Sequence, residues 1–392
     1  MRDAVIVAYG RSAIGKSPRG KLSKIRPEDL GAQVFQGVLD KVPNLDRRII
    51  DDIIVGCAFP EGEQGFNIGR IIGQRIGIPN DVPGQTVNRF CSSGLQTIAT
   101  GANAIMAGQA NIILAGGIES MSSVPMGGNF IAPDPYLMAN NKEVYINMGL
   151  TAENVAEKYN ISRKIQDEFA EASHRKAFEA LKNGKFKDDI IPIKVEDIII
   201  KGEELEINNF IFTEDEGIRP NTSVESLSKL KAVFKNGGTV TAGNSSQMSD
   251  GASAVLLMAK DKADELGIKP LAKFVSFAVG GVAPELMGLG PIAAIPKALK
   301  LAGLTLEQIN LIELNEAFAS QAIACINELG MNKQIINVNG GAIALGHPLG
   351  CTGSFLTTKL LSEMRRRDDK YGLVSMCIGG GMGAAAIFEL IV

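Results

Sequence analysis

The chain has 392 residues, 45% of them apolar and 21% charged, with a net charge of −3. That balance belongs to a folded protein of two or three structural units, and it lacks the basic footprint that binding a nucleic-acid backbone requires. Five cysteines with no CxxC pair, and an opening that enters a strand rather than a secretory leader, set the expectation of free thiols in a reducing compartment, the cytoplasm.

Taken in chain order, the first third alternates strands and helices. Asp3–Ala8 and Ile53–Gly56 read as strands, and Glu28–Val42 as a helix with Leu30, Val34 and Val38 on one face. Leu95, Ile98, Ala99, Ala102 and Ile105 recur at helical spacing from about Cys91 to Gly108, and Asn111–Ala115 follows as a strand. Phe90–Ile118 carries no charge, but its Ser92, Gln96, Asn103, Gln109 and Asn111 fit this helix and strand better than a membrane span. The middle, Met121–Gln247, breaks the alternation. It contains a long charged helix, Ile165–Asn183, with Ser162 as its candidate cap, and irregular polar stretches at Pro133–Asn141 and Lys201–Asn209. The last third returns to the first scheme with strands at Lys273–Ala278, Asn310–Leu314 and Leu373–Cys377. Its helices are Ile292–Leu301, stopped by Gly303, and Thr352–Arg366. Gly116-Gly117 and Gly379-Gly380-Gly381 close corresponding strands, so the pattern predicts an α/β protein of two similar halves with a large insertion between them.

Four positions are candidates for chemistry. Cys91, in Val87–Gly94, lies where a strand meets a helix, and the N–H groups of a helix start favour a thiolate and lower its pKa. The same pattern also suits a small residue buried in a tight turn. His347 is followed by Pro348, which keeps it out of the helical region, and flanked by glycines that let other backbone approach. A Cys–His pair from such distant segments would be an activated nucleophile. The other histidine, His174, reads as part of a solvated helix face. Cys377 precedes a glycine run whose N–H groups can meet a developing oxyanion, with a buried structural thiol as the competing reading. Asn315 and Glu316 follow a strand and open a helix, where they either cap it or orient a water or an oxyanion. Two histidines without clustered ligands argue against a metal site. There is no GxxxxGK[ST] run, and the spacing in Gly65–Gly77 does not match a dinucleotide fingerprint.

VNRFCSSGLQ around Cys91, TAGNSSQMSDGA at Thr241–Ala252, NEAFA from Asn315, GGAIALGHPLGCTG around His347 and CIGGGMGAA from Cys377 occur in that order. Together they resemble the thiolase family over essentially the whole chain. The resemblance implies duplicated α/β halves in α-β-α-β-α layers. Residues 1–120 plus about 248–269 would form the N-terminal half, about 121–247 an inserted loop domain that binds coenzyme A, and 270–392 the C-terminal half. It implies that Cys91 takes the acyl group, that His347 is its base and that Cys377 is a second acid/base. Asn315, through a held water, would form one oxyanion hole with His347; the N–H groups of Cys91 and Gly379 would form the other.

Coenzyme A enters as substrate, with no metal or prosthetic cofactor. By the same resemblance Arg219 lies near its adenine, Ser246 touches pantetheine, and Met148, Met287 and Phe318 line the tunnel. Asn147 stands where biosynthetic thiolases usually carry His, the segment Met121–Asn147 is short, and Cys351 follows the His347 motif. These features point to the degradative branch: cleavage of 3-oxoacyl-CoA with release of acetyl-CoA in fatty-acid β-oxidation, by a homodimer, with a tetramer as the alternative. The competing readings are a biosynthetic acetoacetyl-CoA thiolase, a decarboxylating ketoacyl synthase, and a non-catalytic acyl-CoA-binding or lipid-transfer protein.

Overall fold

The computed structural model describes residues 2–201 and 204–391. Strand β1 (Ala4–Arg11) is buried along its whole length. Helix α1 (Pro27–Leu39) starts with proline at its first position, has Glu28 and Asp29 in its first turn, and buries Leu30, Val34, Phe35 and Val38. Strands β2 (Asp52–Gly56) and β3 (Gly84–Val87) follow, then helix α3 (Ser93–Met106) and strand β4 (Ile112–Ser120), with a shorter helix, α2 (Ile68–Arg75), between β2 and β3. The chain then departs into α4 (Met148–Lys158), α5 (Arg163–Lys182) and an antiparallel pair, β5 (Ile193–Lys201) with β6 (Glu204–Phe212). It returns as β7 (Ser249–Ala259). The second half consists of β8 (Ala272–Gly281), α6 (Gly290–Ala302), β9 (Leu311–Leu314), α7 (Ala319–Glu328), α8 (Leu349–Arg367), β10 (Tyr371–Ile378) and β11 (Met382–Leu390).

The halves repeat one strand order. In the first, β2 pairs parallel with β4, which pairs antiparallel with β7, which pairs antiparallel with β1. In the second, β9 pairs parallel with β10, then β11 and β8 follow antiparallel. The two join where Val5 and Ile6 of β1 face Lys273 and Ala272 of β8. The strand pair joined by the long excursion in the first half, β4 and β7, corresponds to β10 and β11, which only the turn Gly379-Gly380-Gly381 separates.

Apolar faces stack these elements into five layers. One core lies between α1, α2 and the first half-sheet, and another between the second half-sheet and α6 and α7. The largest fills the centre, where α3 and α8 are enclosed by both sheets. Every residue of α8 from Leu349 to Met364 is buried, polar ones included. They remain satisfied there: Lys359 Nζ reaches Glu313 Oε2 at 2.9 Å and the Gly340 carbonyl at 2.7 Å, and Thr357 donates to the Gly353 carbonyl. At the crossing of α3 and α8 a Cβ on Gly94 would lie 2.8 Å from the Ser354 nitrogen, so glycine is required for the backbones to meet.

The insertion is tied to the core by a buried ion pair. Arg11 Nη1 and Nη2 meet Asp215 Oδ1 and Oδ2 at 2.7 and 3.0 Å, and both side chains are fully buried. The guanidinium stacks over Phe355 and Phe186, 4.9 and 5.3 Å from the ring centroids, and Asp215 also accepts the Ile14 N–H. Ser162 caps α5 by accepting the Ile165 N–H. Two expectations for this region are corrected. Lys201–Asn209, read as irregular, is strand where it is described: Lys201 ends β5 and Glu204–Asn209 opens β6, where Glu206–Asn209 are all exposed and no buried alternation marks the strand; Gly202 and Glu203 lie outside the described residues. Pro133–Asn141 contains a short helix, Pro135–Asn140, capped by Asp134.

Candidate active site

Cys91 sits in a single 3-10 turn, Phe90–Ser92, between β3 and α3. Side chains brace that turn. Asn88 Oδ1 accepts the Phe90 N–H at 2.8 Å while its Nδ2 donates to the Ala58 carbonyl, and Ser93 Oγ joins the Arg89 N–H to the Phe90 carbonyl. Phe90 has φ 43°, a left-handed conformation that a bulky side chain adopts only when its surroundings enforce it. Cys91 as a residue is half-buried, and it packs with Phe59 against Ala58, Met121 and Leu349.

Cys377 and Gly379 lie beside it, and His347 pairs with Asn315. Cys377 ends β10, buried, and the following Gly379 turns its N–H toward Cys91 Sγ, as does Cys91's own amide. Gly379 also lies between the Phe90 ring and Met148 Sδ. His347 occupies the break between a short helix, Ala342–Leu345, and α8, and is 4% exposed. Its Nε2 is 3.3 Å from Asn315 Nδ2, and its Nδ1 is 2.6 Å from Thr352 Oγ1. Asn315 is not a helix cap: α7 begins later, at Ala319, with Phe318 as its cap residue and no side-chain cap. Its Oδ1 is buried without a protein partner. Glu316 is structural, accepting from Ser173 Oγ at 2.6 Å and Asn337 Nδ2 at 2.9 Å.

Met148, Met287 and Phe318 form one apolar cluster with Cys377. Ser246 is set beside them because its N–H bonds the Ala317 carbonyl, and the Asn244 carbonyl accepts the Ala319 N–H. Arg219 stands apart on the rim, exposed, its N–H 3.2 Å from His174 Nδ1. Gln247 links that rim to the site: its Nε2 donates to the Gly217 and Ile343 carbonyls, and its carbonyl accepts the His347 N–H. His174 itself is buried rather than solvated, because α5 turns that face onto the Arg219 segment.

Families of known proteins match this architecture. A model described as "Thiolase, N-terminal domain" matches residues 4–261, and "Thiolase, C-terminal domain" matches residues 268–390. The chain belongs to the thiolase family. It is 55% identical over 391 residues to a 3-ketoacyl-CoA thiolase of Bacillus subtilis (strain 168), covering 100% of both chains. Against 3-ketoacyl-CoA thiolase 1, peroxisomal, of Arabidopsis thaliana it is 48% identical, over 99% of this chain and 87% of the relative. The crystal structure of the Bacillus anthracis acetyl-CoA acetyltransferase resembles it with a TM-score of 0.90 at 37% identity, covering 100% of this chain and 99% of that one. Among the described residues of this thiolase, no group of three His, Cys, Asp or Glu side chains could hold a metal ion, and no helix is long and apolar enough to cross a membrane.

The electrostatics of this thiolase correct one expectation. Burial pushes the Cys91 thiol up to about 11, outweighing the N–H groups of Gly379 and Cys91 that favour the thiolate; the nearby Glu119 adds to the rise. Burial also pulls His347 down to about 4. The resting pair is therefore a neutral thiol and a neutral imidazole at pH 7. The ultraviolet thiolate absorbance lost in Cys91→Ser should accordingly appear only in the alkaline range. A titration step below about pH 8 would mean a preformed thiolate.

Two residues went unnoticed in the sequence. Glu119 accepts from the Ala58 N–H (2.8 Å), Gln64 Nε2 (3.0 Å) and the Gly350 N–H (2.7 Å), so it caps α8 from another element and holds the Cys57–Phe59 loop against it. A lone carboxylate at the end of the apolar run Ile112–Ile118 was its one sequence signal. Thr352 had none beyond its place in the His347 motif.

Proposed function

We propose that this thiolase cleaves 3-oxoacyl-CoA with coenzyme A, releasing acetyl-CoA and a shortened acyl-CoA, in fatty-acid β-oxidation. The observation that carries the reading is Cys91 with two N–H groups at its sulfur and a second buried thiol beside it, while Leu349, two residues from the neutral His347, packs in the same cluster as Cys91.

Cys91 gives its proton to His347 Nε2 as its sulfur attacks the 3-keto carbon. The resulting oxyanion, on the carbon that the sulfur has attacked, falls to the N–H groups of Cys91 and Gly379. The bond between carbons 2 and 3 then breaks, and its electron pair leaves as the acetyl-CoA enolate. Asn315, through a water, and the N–H that His347 has gained stabilise the enolate oxygen, and the Cys377 thiol protonates carbon 2. In the second half, the coenzyme A thiol attacks the Cys91 thioester and yields its proton to the Cys377 thiolate. Cys91 departs and recovers its proton from His347. Each oxyanion donor supplies about 3–4 kcal/mol of barrier lowering.

The insertion, about residues 121–247, with its flanks receives coenzyme A: Met148, Met287 and Phe318 flank pantetheine, Ser246 contacts it, and Arg219 on the rim meets the adenine. The enzyme works as a cytoplasmic homodimer. The test is coenzyme-A-dependent cleavage of a series from acetoacetyl-CoA to long-chain 3-oxoacyl-CoA, with Cys91→Ala as control. Turnover of longer substrates that vanishes in the variant supports the reading; preference for acetoacetyl-CoA over every longer substrate, or no cleavage by folded enzyme, overturns it.

A further inference from the structure

We infer that Thr352 is a positioning residue that selects the tautomer of His347, keeping the ring proton on Nδ1 so that Nε2 is the base, and that His174 carries the opposite tautomer. The inference rests on the proposed role of His347 as the base for Cys91.

The hydrogen-bond geometry supports this from both edges of the ring. Thr352 Oγ1 is 2.9 Å from the Pro348 carbonyl and 2.6 Å from His347 Nδ1. A hydroxyl has one proton and a carbonyl can only accept. With that proton on the Pro348 carbonyl, Oγ1 accepts from Nδ1–H. On the other edge Nε2 faces Asn315 Nδ2, which donates. A proton on Nε2 would set two donors against each other. The opposite tautomer requires the hydroxyl and the Asn315 amide to turn together, and it would aim the basic nitrogen at Thr352, away from Asn315. The ring is 4% exposed, and Thr352 and Asn315 are its side-chain partners.

This arrangement also serves the proton transfer. When Nε2 takes the Cys91 proton, the bond from Nδ1–H to Thr352 is already made. The imidazolium therefore forms in a low-dielectric site with one of its two N–H groups already satisfied. At His174 the polarity is reversed. Its Nδ1 accepts the Arg219 N–H at 3.2 Å, so its proton belongs on Nε2. Burial, with help from the charges of Arg219 and Lys16, holds His174 at about 4, so both rings are neutral near pH 7.

Because the chain has only two histidines, the inference can be read directly. Nitrogen-15 chemical shifts of histidine-labelled full-length enzyme at neutral pH should show one ring protonated on Nδ1 and one on Nε2. His174→Gln should remove the Nε2–H ring. Two Nε2–H rings would overturn the inference. Thr352→Val should change the His347 nitrogens alone and lower kcat by about 10- to 1,000-fold with little change in KM for coenzyme A, as expected for a mispositioned base. Thr352→Ser should restore both the spectrum and the rate, and it keeps the test decisive if the valine variant folds poorly. Wild-type rate in Thr352→Val would also overturn the inference. The expected shifts in an enzyme that cleaves no 3-oxoacyl-CoA would instead sink the proposed function and leave the tautomer assignment standing.

Discussion

Cys377→Ala is expected to slow cleavage of the carbon–carbon bond by about 10²- to 10⁴-fold, the usual contribution of a positioned acid or base. Cys377 is fully buried, and burial first, then the neighbouring Cys91 and Cys325, pushes its thiol well above the ordinary range. It therefore holds its proton at pH 7, as an acid that must protonate an enolate should. Loading Cys91 from a simple acyl-CoA creates no carbanion: there Cys377 has only to protonate the departing coenzyme A thiolate, a far weaker base than an enolate. In the variant, single-turnover acylation of Cys91 by acetyl-CoA, followed by mass spectrometry, should fall much less than cleavage does. Equal loss of both would assign Cys377 to packing around Met287 and Phe318, and equal retention would remove it from the reaction.

Asp215→Ala is expected to cost about 3–5 kcal/mol of stability, because it leaves the Arg11 guanidinium buried and unpaired. The penalty arises from the missing partner rather than from the pair's own strength. Arg11 sits at the end of β1 between Phe355 and Phe186, with no route to water. Asp215 lies in the insertion, two residues before Gly217, which is tied through Gln247 to the His347 loop. Urea unfolding should show the loss. A change below about 1 kcal/mol would place the pair among exposed ion pairs of little consequence. Because the same residue anchors the insertion, the variant should also raise KM for coenzyme A at temperatures where it remains folded.

Much of this molecule was readable in one dimension. Local pattern located β1, β2, β8, β9 and β10 and the helices α1, α3, α5 and α6 within a few residues, since the helices bury one face at regular spacing and most of the strands are short apolar runs. His347 and Cys377 stood out because glycines and a proline beside them mark places where backbone must turn or approach closely, Cys91 because a strand meets a helix there, and Asn315 because it follows a strand. The order of the motifs was enough to suggest the family.

Other properties depend on distance through space, which spacing along a chain does not encode. The sign of the Cys91 shift is one: a helix start argued for a thiolate, yet desolvation by Phe59, Met121 and Leu349 together with the charge of Glu119 prevails. The burial of His174 is another, because the segment that covers it comes 45 residues later. Helix α8 carries Thr, Ser, Lys and Glu among its apolar residues, and is a central buried helix only because both half-sheets close over it. The sequence by itself determined which groups are present and how each local element forms. The tertiary structure alone decided which groups share a dry site, and so which carry a proton at rest, because desolvation and hydrogen bonding depend on neighbours that folding brings together.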